Sequence, residues 1–261
     1  MRLRLAALAS LCILASPPPA RAGGWEKAEY KTARDVVESM DRKSRGETNQ
    51  GKAVMRIVRP DWERTLEMDF WSIGLDLTFV RVTAPAKERG VGSLQIGQEM
   101  WNYLPKTERV VRIPASLMGQ AWLGSDFTND DLVKQSSVVV DYDHAFKEEG
   151  ADRAGEPCWI VESTAKEDAA VVWGKMVWTV RKKDLNATTQ DFYDEKGVLV
   201  KKMLFSDVRR AGDRDIPFKM EMIPVLEPGK RTYFEYKEVV FNEPIDKGLF
   251  TLQNLQRVRA R

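Results

Sequence analysis

Apolar residues recur at three- and four-residue steps near the start of the chain, at Tyr30, Ala33, Val36, Val37 and Met40, with charged residues between them. That stripe predicts one amphipathic helix from Trp25 to about Arg45, stopped at Gly46. From Lys52 onward the period changes to two. In Glu63 to Trp71, Leu66, Met68 and Phe70 point one way while Thr65, Glu67 and Asp69 point the other, which describes a sheet with one buried face. Further strands are predicted at Lys52–Arg59, Asp76–Thr83, Ser93–Leu104, Glu108–Ile113, His144–Glu149 and Pro157–Ala165. A closing meander follows, at Lys175–Lys182, Ala187–Tyr193, Val198–Val208, Ile216–Leu226 and Arg231–Phe241, with polar turns between. Val138–Tyr142 reads as strand or connection, and Asp246–Gln256 as a turn or two of helix. Ten to twelve short strands separated by turn signals predict an antiparallel, mainly β (α+β) architecture.

The stretch Glu99–Leu132 breaks the pattern. An aromatic strand, Met100–Leu104, turns at Pro105-Lys106-Thr107 into a second strand ending at Pro114. Leu117, Met118, Trp122, Leu123 and Phe127 then follow in a segment punctuated by Gly119 and Gly124. Connections are usually polar, so apolar weight here suggests a lid over an apolar space. The alternative is a short irregular plug in an ordinary core. Thr128-Asn129-Asp130-Asp131 then reads as a helix start, with a capping side chain and acids in the first turn; the helix would end near Ser136.

The first 22 residues have the form of a cleaved export signal. Arg2 and Arg4 precede the apolar run Leu5–Ser16, and Ala20-Arg21-Ala22 is a small-x-small cleavage site. The run is too short for a permanent membrane span. The expectation is a periplasmic protein of 239 residues (261 less 22), forming one domain over residues 23–261. Removing Arg2, Arg4 and Arg21 changes the net charge from +2 to −1. No basic stripe remains to suggest nucleic acid. Cys158 is then the one remaining cysteine, so no internal disulfide forms, and its neighbours Trp159 and Ile160 place it in core packing.

The catalytic inventory is thin. His144 is the single histidine, which excludes His-paired nucleophilic triads and multi-histidine zinc sites, and its charged neighbours suggest that it faces solvent. No G-x-S-x-G elbow, dinucleotide fingerprint or P-loop occurs. Asp130-Asp131 and Asp213/Asp215 stand where acids serve helix starts and turns. No catalytic residue, cofactor or metal is therefore expected. An enzyme remains the least supported class.

Ten methionines and eight tryptophans shift attention to the inward faces of the strands. Methionine adapts to variable apolar shapes, and tryptophan offers a large apolar body with a polar edge. Met55, Ile57, Leu66, Met68, Phe70, Phe79, Met176, Trp178, Met220, Met222 and Phe234 are the candidate lining of an apolar cavity. Leu117, Met118, Trp122, Leu123 and Phe127 are its candidate lid or gate. A well-filled β core is the alternative reading of the same residues.

The segment W-N-Y-L-P-K-x-x-R-V-x-R-I-P (Trp101–Pro114), leading into the apolar lid and acidic helix start, resembles the LolA-like family of outer membrane lipoprotein-sorting proteins. The closing Phe241-Asn242-x-Pro244-Ile245 and Leu249-Phe250-Thr251-Leu252 are similar to the same family. The resemblance implies an unclosed β-barrel, a curved antiparallel sheet whose concave face is covered by an N-terminal helix and short helices. It also implies a cavity for the acyl chains of lipids or lipoproteins, transient membrane contact, and work beside an inner-membrane transporter and an outer-membrane acceptor. A second function class on the same fold is a regulatory or scaffolding module that binds the periplasmic domain of a membrane protein.

Overall fold

The computed structural model describes residues 29–133 and 138–257. The expected export signal, the helix start at Trp25 and the helix end near Ser136 lie outside the described residues. The first helix, α1 (Ala33–Arg45), begins later than its apolar stripe suggests. Thr32 caps it: the Thr32 hydroxyl accepts the Asp35 N–H at 3.2 Å, and the Asp35 carboxylate accepts the Thr32 N–H at 2.9 Å. This reciprocal box satisfies amide donors that a helix start leaves open. Tyr30 therefore precedes the helix, and its ring packs 5.5 Å from that of Trp159.

Among the described residues thirteen strands follow, in two meanders. The first comprises β1 (Thr48–Val58), β2 (Glu63–Ile73), β3 (Leu77–Ala84), β4 (Gly92–Ile96), β5 (Glu99–Leu104) and β6 (Arg109–Ile113). The second comprises β7 (Tyr142–Ala151), β8 (Pro157–Ala165), β9 (Lys175–Arg181), β10 (Ala187–Tyr193), β11 (Leu199–Ala211), β12 (Arg214–Pro224) and β13 (Arg231–Phe241). Ser93–Leu104, expected as one strand, is two, because Gly97 takes φ 60° and turns the chain there. That hairpin takes the count above the expected ten to twelve.

All thirteen strands form one antiparallel sheet in the order β6-β5-β4-β3-β2-β1-β13-β12-β11-β10-β9-β8-β7. Pairing of β1 with β13 joins the meanders, while β6 and β7 stay unpaired with each other, so the sheet is an unclosed barrel. The topology has one consequence for the stretch after Pro114. The chain must travel from one edge strand, β6, to the other, β7, and it does so across the concave face. It uses two short 3₁₀ turns (Ala115–Leu117 and Trp122–Gly124), then α2 (Asn129–Val133) and α3 (Val138–Asp141). The β-branched Val138–Val140 is helical here despite its propensity; Val138 packs into the core beside α1, and Lys166 Nζ donates to the Val140 carbonyl at 2.6 Å.

The other face of the sheet carries its own core. Trp71 stacks on Phe79 with ring centroids 5.4 Å apart, and Leu94, Tyr103, Phe250 and Leu255 complete the cluster. The terminal helix α4 (Leu252–Gln256) covers it. Gly92 permits this approach, since a Cβ there would stand 2.7 Å from the Leu255 Cδ1.

Candidate functional site

Strand register settles which side chains meet on the concave face. Met55 opposes Leu66 on β2 and Phe234 on β13, Met220 opposes Phe234 and Phe205, and Met222 opposes Met203 and Thr232. On the other half Trp178 opposes Gln190 and Val161, and Met176 opposes Phe192. Side chains two apart on each strand share this face, so the register alone aligns a band of methionine and aromatic groups.

The covering segment is a self-bonded structure rather than an open loop. Trp122 N–H donates to the Phe127 carbonyl at 2.8 Å, and Asp130 N–H to the Met118 carbonyl at 2.9 Å. The start of α2 is a second capping box: Asp131 N–H donates to the Thr128 hydroxyl and Thr128 N–H to the Asp131 carboxylate, at 3.0 and 2.7 Å. Trp122 is 2 % exposed, and its indole N–H donates to Ser93 Oγ at 2.9 Å. Met118 and Trp122 pack with Met55, Ile57, Leu66, Met68 and Met100 into a filled core. Around Asp126 the segment is strapped to the sheet. Arg59 forks onto the Asp126 carboxylate and also bonds the Gly124 carbonyl, while Arg64 donates to the Leu123 carbonyl. Thr232 and Lys201 hold Asp126 from β13 and β11.

Beside that filled core lies a cavity of about 300 Å³. Met68, Phe70, Trp122 and Phe127 bound it on one side, Met176, Trp178, Phe192 and Met203 on the other, and Met220, Met222, Phe234 and Tyr236 between. Met40 of α1 and Val138 of α3 also line it. Its volume stands at the lower end of the range of small-ligand pockets, and an apolar wall with a few polar groups is the usual composition of such pockets. The lining becomes polar at one end, where α1 runs into β1 and the β2–β3 hairpin turns. Asp41, Ser44, Arg45, Asn49, Ser72 and Thr78 stand there, with Leu75 40 % exposed at the rim. The Arg59–Asp126 strap is at the opposite end of β1.

Burial sets the electrostatics of the walls. The Tyr236 hydroxyl is pushed up to about 12 by burial; its ring sits edge-on to Phe234 at 5.3 Å. Burial also raises the Asp41 carboxyl, against the opposing pull of Arg45 at 2.9 Å, and lowers the Lys201 ammonium, against Asp131 and Asp126. Lys43, buried near the end of α1, donates to the Asp184 carbonyl and to Asn186 Oδ1.

The sequence-predicted residues divide into four groups. Met68, Phe70, Met176, Trp178, Met220, Met222 and Phe234 line the cavity, as do Trp122 and Phe127 of the covering segment. Met55, Ile57, Leu66 and Met118 belong to the filled core under that segment, with Leu123 packed against its edge. Leu117 is 45 % exposed and covers little. Phe79 is on the opposite face under α4; its strand has both faces buried, so alternation could not assign its side. His144, expected to face solvent, is half-buried: Nδ1 bonds Ser163 at 2.9 Å, and Nε2 is buried without a partner. Cys158 is fully buried, as its apolar neighbours suggested. Sequence reasoning missed Met203, Phe205, Phe192 and Tyr236, although their period-two spacing carried the signal, and the polar wall residues Asn186 and Gln190, which no local pattern marks.

A family model described as Uncharacterized protein-like matches residues 74–257. No curated protein matches the chain. Among solved structures, a DUF1329 family protein from Desulfovibrio piger is 25 % identical, covers 85 % of this chain and 97 % of its own, and superposes with a TM-score of 0.79. A domain assigned to outer membrane lipoprotein sorting from Vibrio parahaemolyticus is 20 % identical over 86 % of this chain and 98 % of its own, TM-score 0.77. A LolA superfamily protein from Nitrosomonas europaea is 22 % identical over 86 % and 99 %, TM-score 0.73. These likenesses extend over both meanders and agree with the resemblance carried by Trp101–Pro114. The chain belongs to the Uncharacterized protein-like family matched over residues 74–257, and its fold is LolA-like.

Proposed function

We propose that this protein is a periplasmic carrier that holds acyl chains of a lipid or lipoprotein in the concave-face cavity. The observation that carries the reading is the methionine- and aromatic-lined space of about 300 Å³ left between the sheet and its cover, beside a core that is otherwise filled. Each methylene transferred from water into such a wall contributes about 0.8 kcal/mol, so a long chain is held by several kcal/mol without any covalent step. A soft methionine wall suits cargo of variable shape.

The chain enters at the polar end, between α1 and the β2–β3 hairpin, because the Arg59–Asp126 strap fixes the cover at the other end. Export through the signal at Met1–Ala22, a single domain over residues 23–261, and hand-over between an inner-membrane transporter and an outer-membrane acceptor complete the proposal. No helix among the described residues is long and apolar enough to cross a membrane, which fits transient rather than permanent membrane contact.

Mass spectrometry of lipid extracted from protein purified from its native host tests the reading, together with displacement of N-phenyl-1-naphthylamine by fatty acids. Recovery of stoichiometric acyl lipid supports it. A protein that purifies empty and binds no chain is not a carrier.

A further inference from the structure

The concave face carries a row of polar side chains that strand register places at the cavity mouth. Asn49 on β1 opposes Ser72 on β2, Ser72 opposes Thr78 on β3, and Thr78 opposes Gln95 on β4. All four line the cavity. Two residues further in, Phe70 opposes Val80, so the wall turns apolar within one row. Asn49, Ser72 and Thr78 are only half-buried, which leaves surface for a ligand group to touch. The Ser72 and Thr78 hydroxyls lie 3.3 Å apart, and Asn49 donates its Nδ2 to the Arg45 carbonyl at 2.9 Å. A hydroxyl both donates and accepts, so the row suits a ligand group that does the same.

The cations at this end are already engaged. Arg45, its side chain 22 % exposed, gives Nη2 to the Asp41 carboxylate at 2.9 Å and Nη1 to the Gly46 carbonyl at 3.2 Å. Lys43 is committed to the Asp184 carbonyl and to Asn186 Oδ1. Among the described residues, the charged groups lining the cavity are Asp41, Asp130 and Asp131 against Lys43 and Arg45. Three acids against two bases give a balance of −1. A carboxylate or phosphate brought here adds negative charge and finds both lining cations taken, and burying an unpaired charge is costly.

Resting on the carrier reading, we infer that the mouth selects cargo with an uncharged, hydroxyl-bearing head, such as a glycerol ester, over free fatty acids. The head lies across Asn49, Ser72 and Thr78 and exchanges hydrogen bonds with them, while the chain runs inward past Phe70. Asp41 sets the specificity. By neutralising Arg45 it withholds the guanidinium from an anionic head.

The experiment ranks monolaurin, laurate and dodecyltrimethylammonium, equal in chain length, as displacers of N-phenyl-1-naphthylamine from the full-length mature protein at pH 8. Laurate is fully ionised there. Wild type should bind monolaurin about tenfold more tightly than either charged probe. Asp41→Asn keeps an acceptor for Arg45 and removes the charge. Laurate should then tighten about fivefold, while monolaurin changes less than about twofold. The double variant Ser72→Ala, Thr78→Val should weaken monolaurin about fivefold and leave laurate unchanged. A charged probe that binds wild type as tightly as monolaurin would overturn the inference, whatever the variants do, and leave the carrier reading standing. So would a cooperatively melting Asp41→Asn protein whose laurate affinity stays at the wild-type value. Failure of all three probes to displace the dye would remove the carrier reading itself.

Discussion

Arg59 and Asp126, 67 positions apart in the chain, form a forked ion pair at 3.1 Å with side chains only 11 % and 6 % exposed. The pair fixes the covering segment to the end of β1, and Thr232 reinforces it, donating to the same carboxylate at 2.7 Å and accepting the Asp126 N–H at 3.0 Å. A buried pair contributes little net stability against an apolar replacement, but losing one partner strands the other charge. Asp126→Ala should therefore lower the unfolding free energy by about 3–5 kcal/mol. In hydrogen exchange it should also expose amides around residues 122–128 before the sheet opens. A loss below about 1 kcal/mol, the range of an exposed pair, would show that the strap does not hold the cover.

His144 gives the fold an acid-sensitive point. Burial, with Arg34 nearby, lowers its pKa below the ordinary value near 6.5, and Asp143 with the backbone at Val138 and Val139 only partly offsets them. Its Nδ1 is engaged by Ser163. Below pH 6.5 the unfolded chain binds a proton more readily than the folded one. The stability held with neutral imidazole is thus complete above about pH 6.5 and lost as pH falls toward the folded value. Melting temperatures at pH 7.5, 6.5 and 5.5 should fall more steeply for wild type than for His144→Gln. Parallel curves would mean that the imidazole is solvated in the folded state.

The two faces of the sheet should separate stability from binding. Leu255 is fully buried against Phe79 and Leu94 on the face away from the cavity. Leu255→Ala should cost about 2–5 kcal/mol in denaturant unfolding. Displacement of a bound fluorescent chain at temperatures where the variant is folded should not change. A parallel loss of affinity would mean that α4 shapes the cavity from behind.

Much of this architecture was legible because strand alternation is a local signal. Leu66, Met68 and Phe70 announce β2 and its buried face, and the apolar residues after Pro114 announce a cover. What was hidden depends on pairs distant in sequence. Trp71 stacks on Phe79 on a face that the alternation of β2 reads as wet, because α4, far along the chain, arrives to cover it. Val138–Tyr142 reads as strand or connection, and Val138–Asp141 is held helical by packing. The cover was visible as apolar, but its strap was not, since nothing near Arg59 or Asp126 names the other. The same limit concealed Asn186, whose side-chain oxygen accepts from Lys43, 143 positions earlier.

Substitution by tryptophan decides whether the methionine wall bounds space or is simply core. Met55 is fully buried among Ile57, Leu66 and Trp122 and does not line the cavity. Enlarging it forces neighbours off their rotamers, and Met55→Trp should cost about 1–3 kcal/mol or more. Met220 faces the cavity between Phe205 and Phe234. An indole there occupies the space that an acyl chain would take, without displacing packed atoms, and filling a cavity commonly stabilises a fold. Met220→Trp should therefore keep or slightly raise the melting temperature while reducing acyl-chain affinity by tenfold or more. The opposite signs at two methionines that look alike in sequence are the discriminating result. If Met220→Trp destabilises the protein as much as Met55→Trp does, the concave face is filled throughout and no chain is accommodated there.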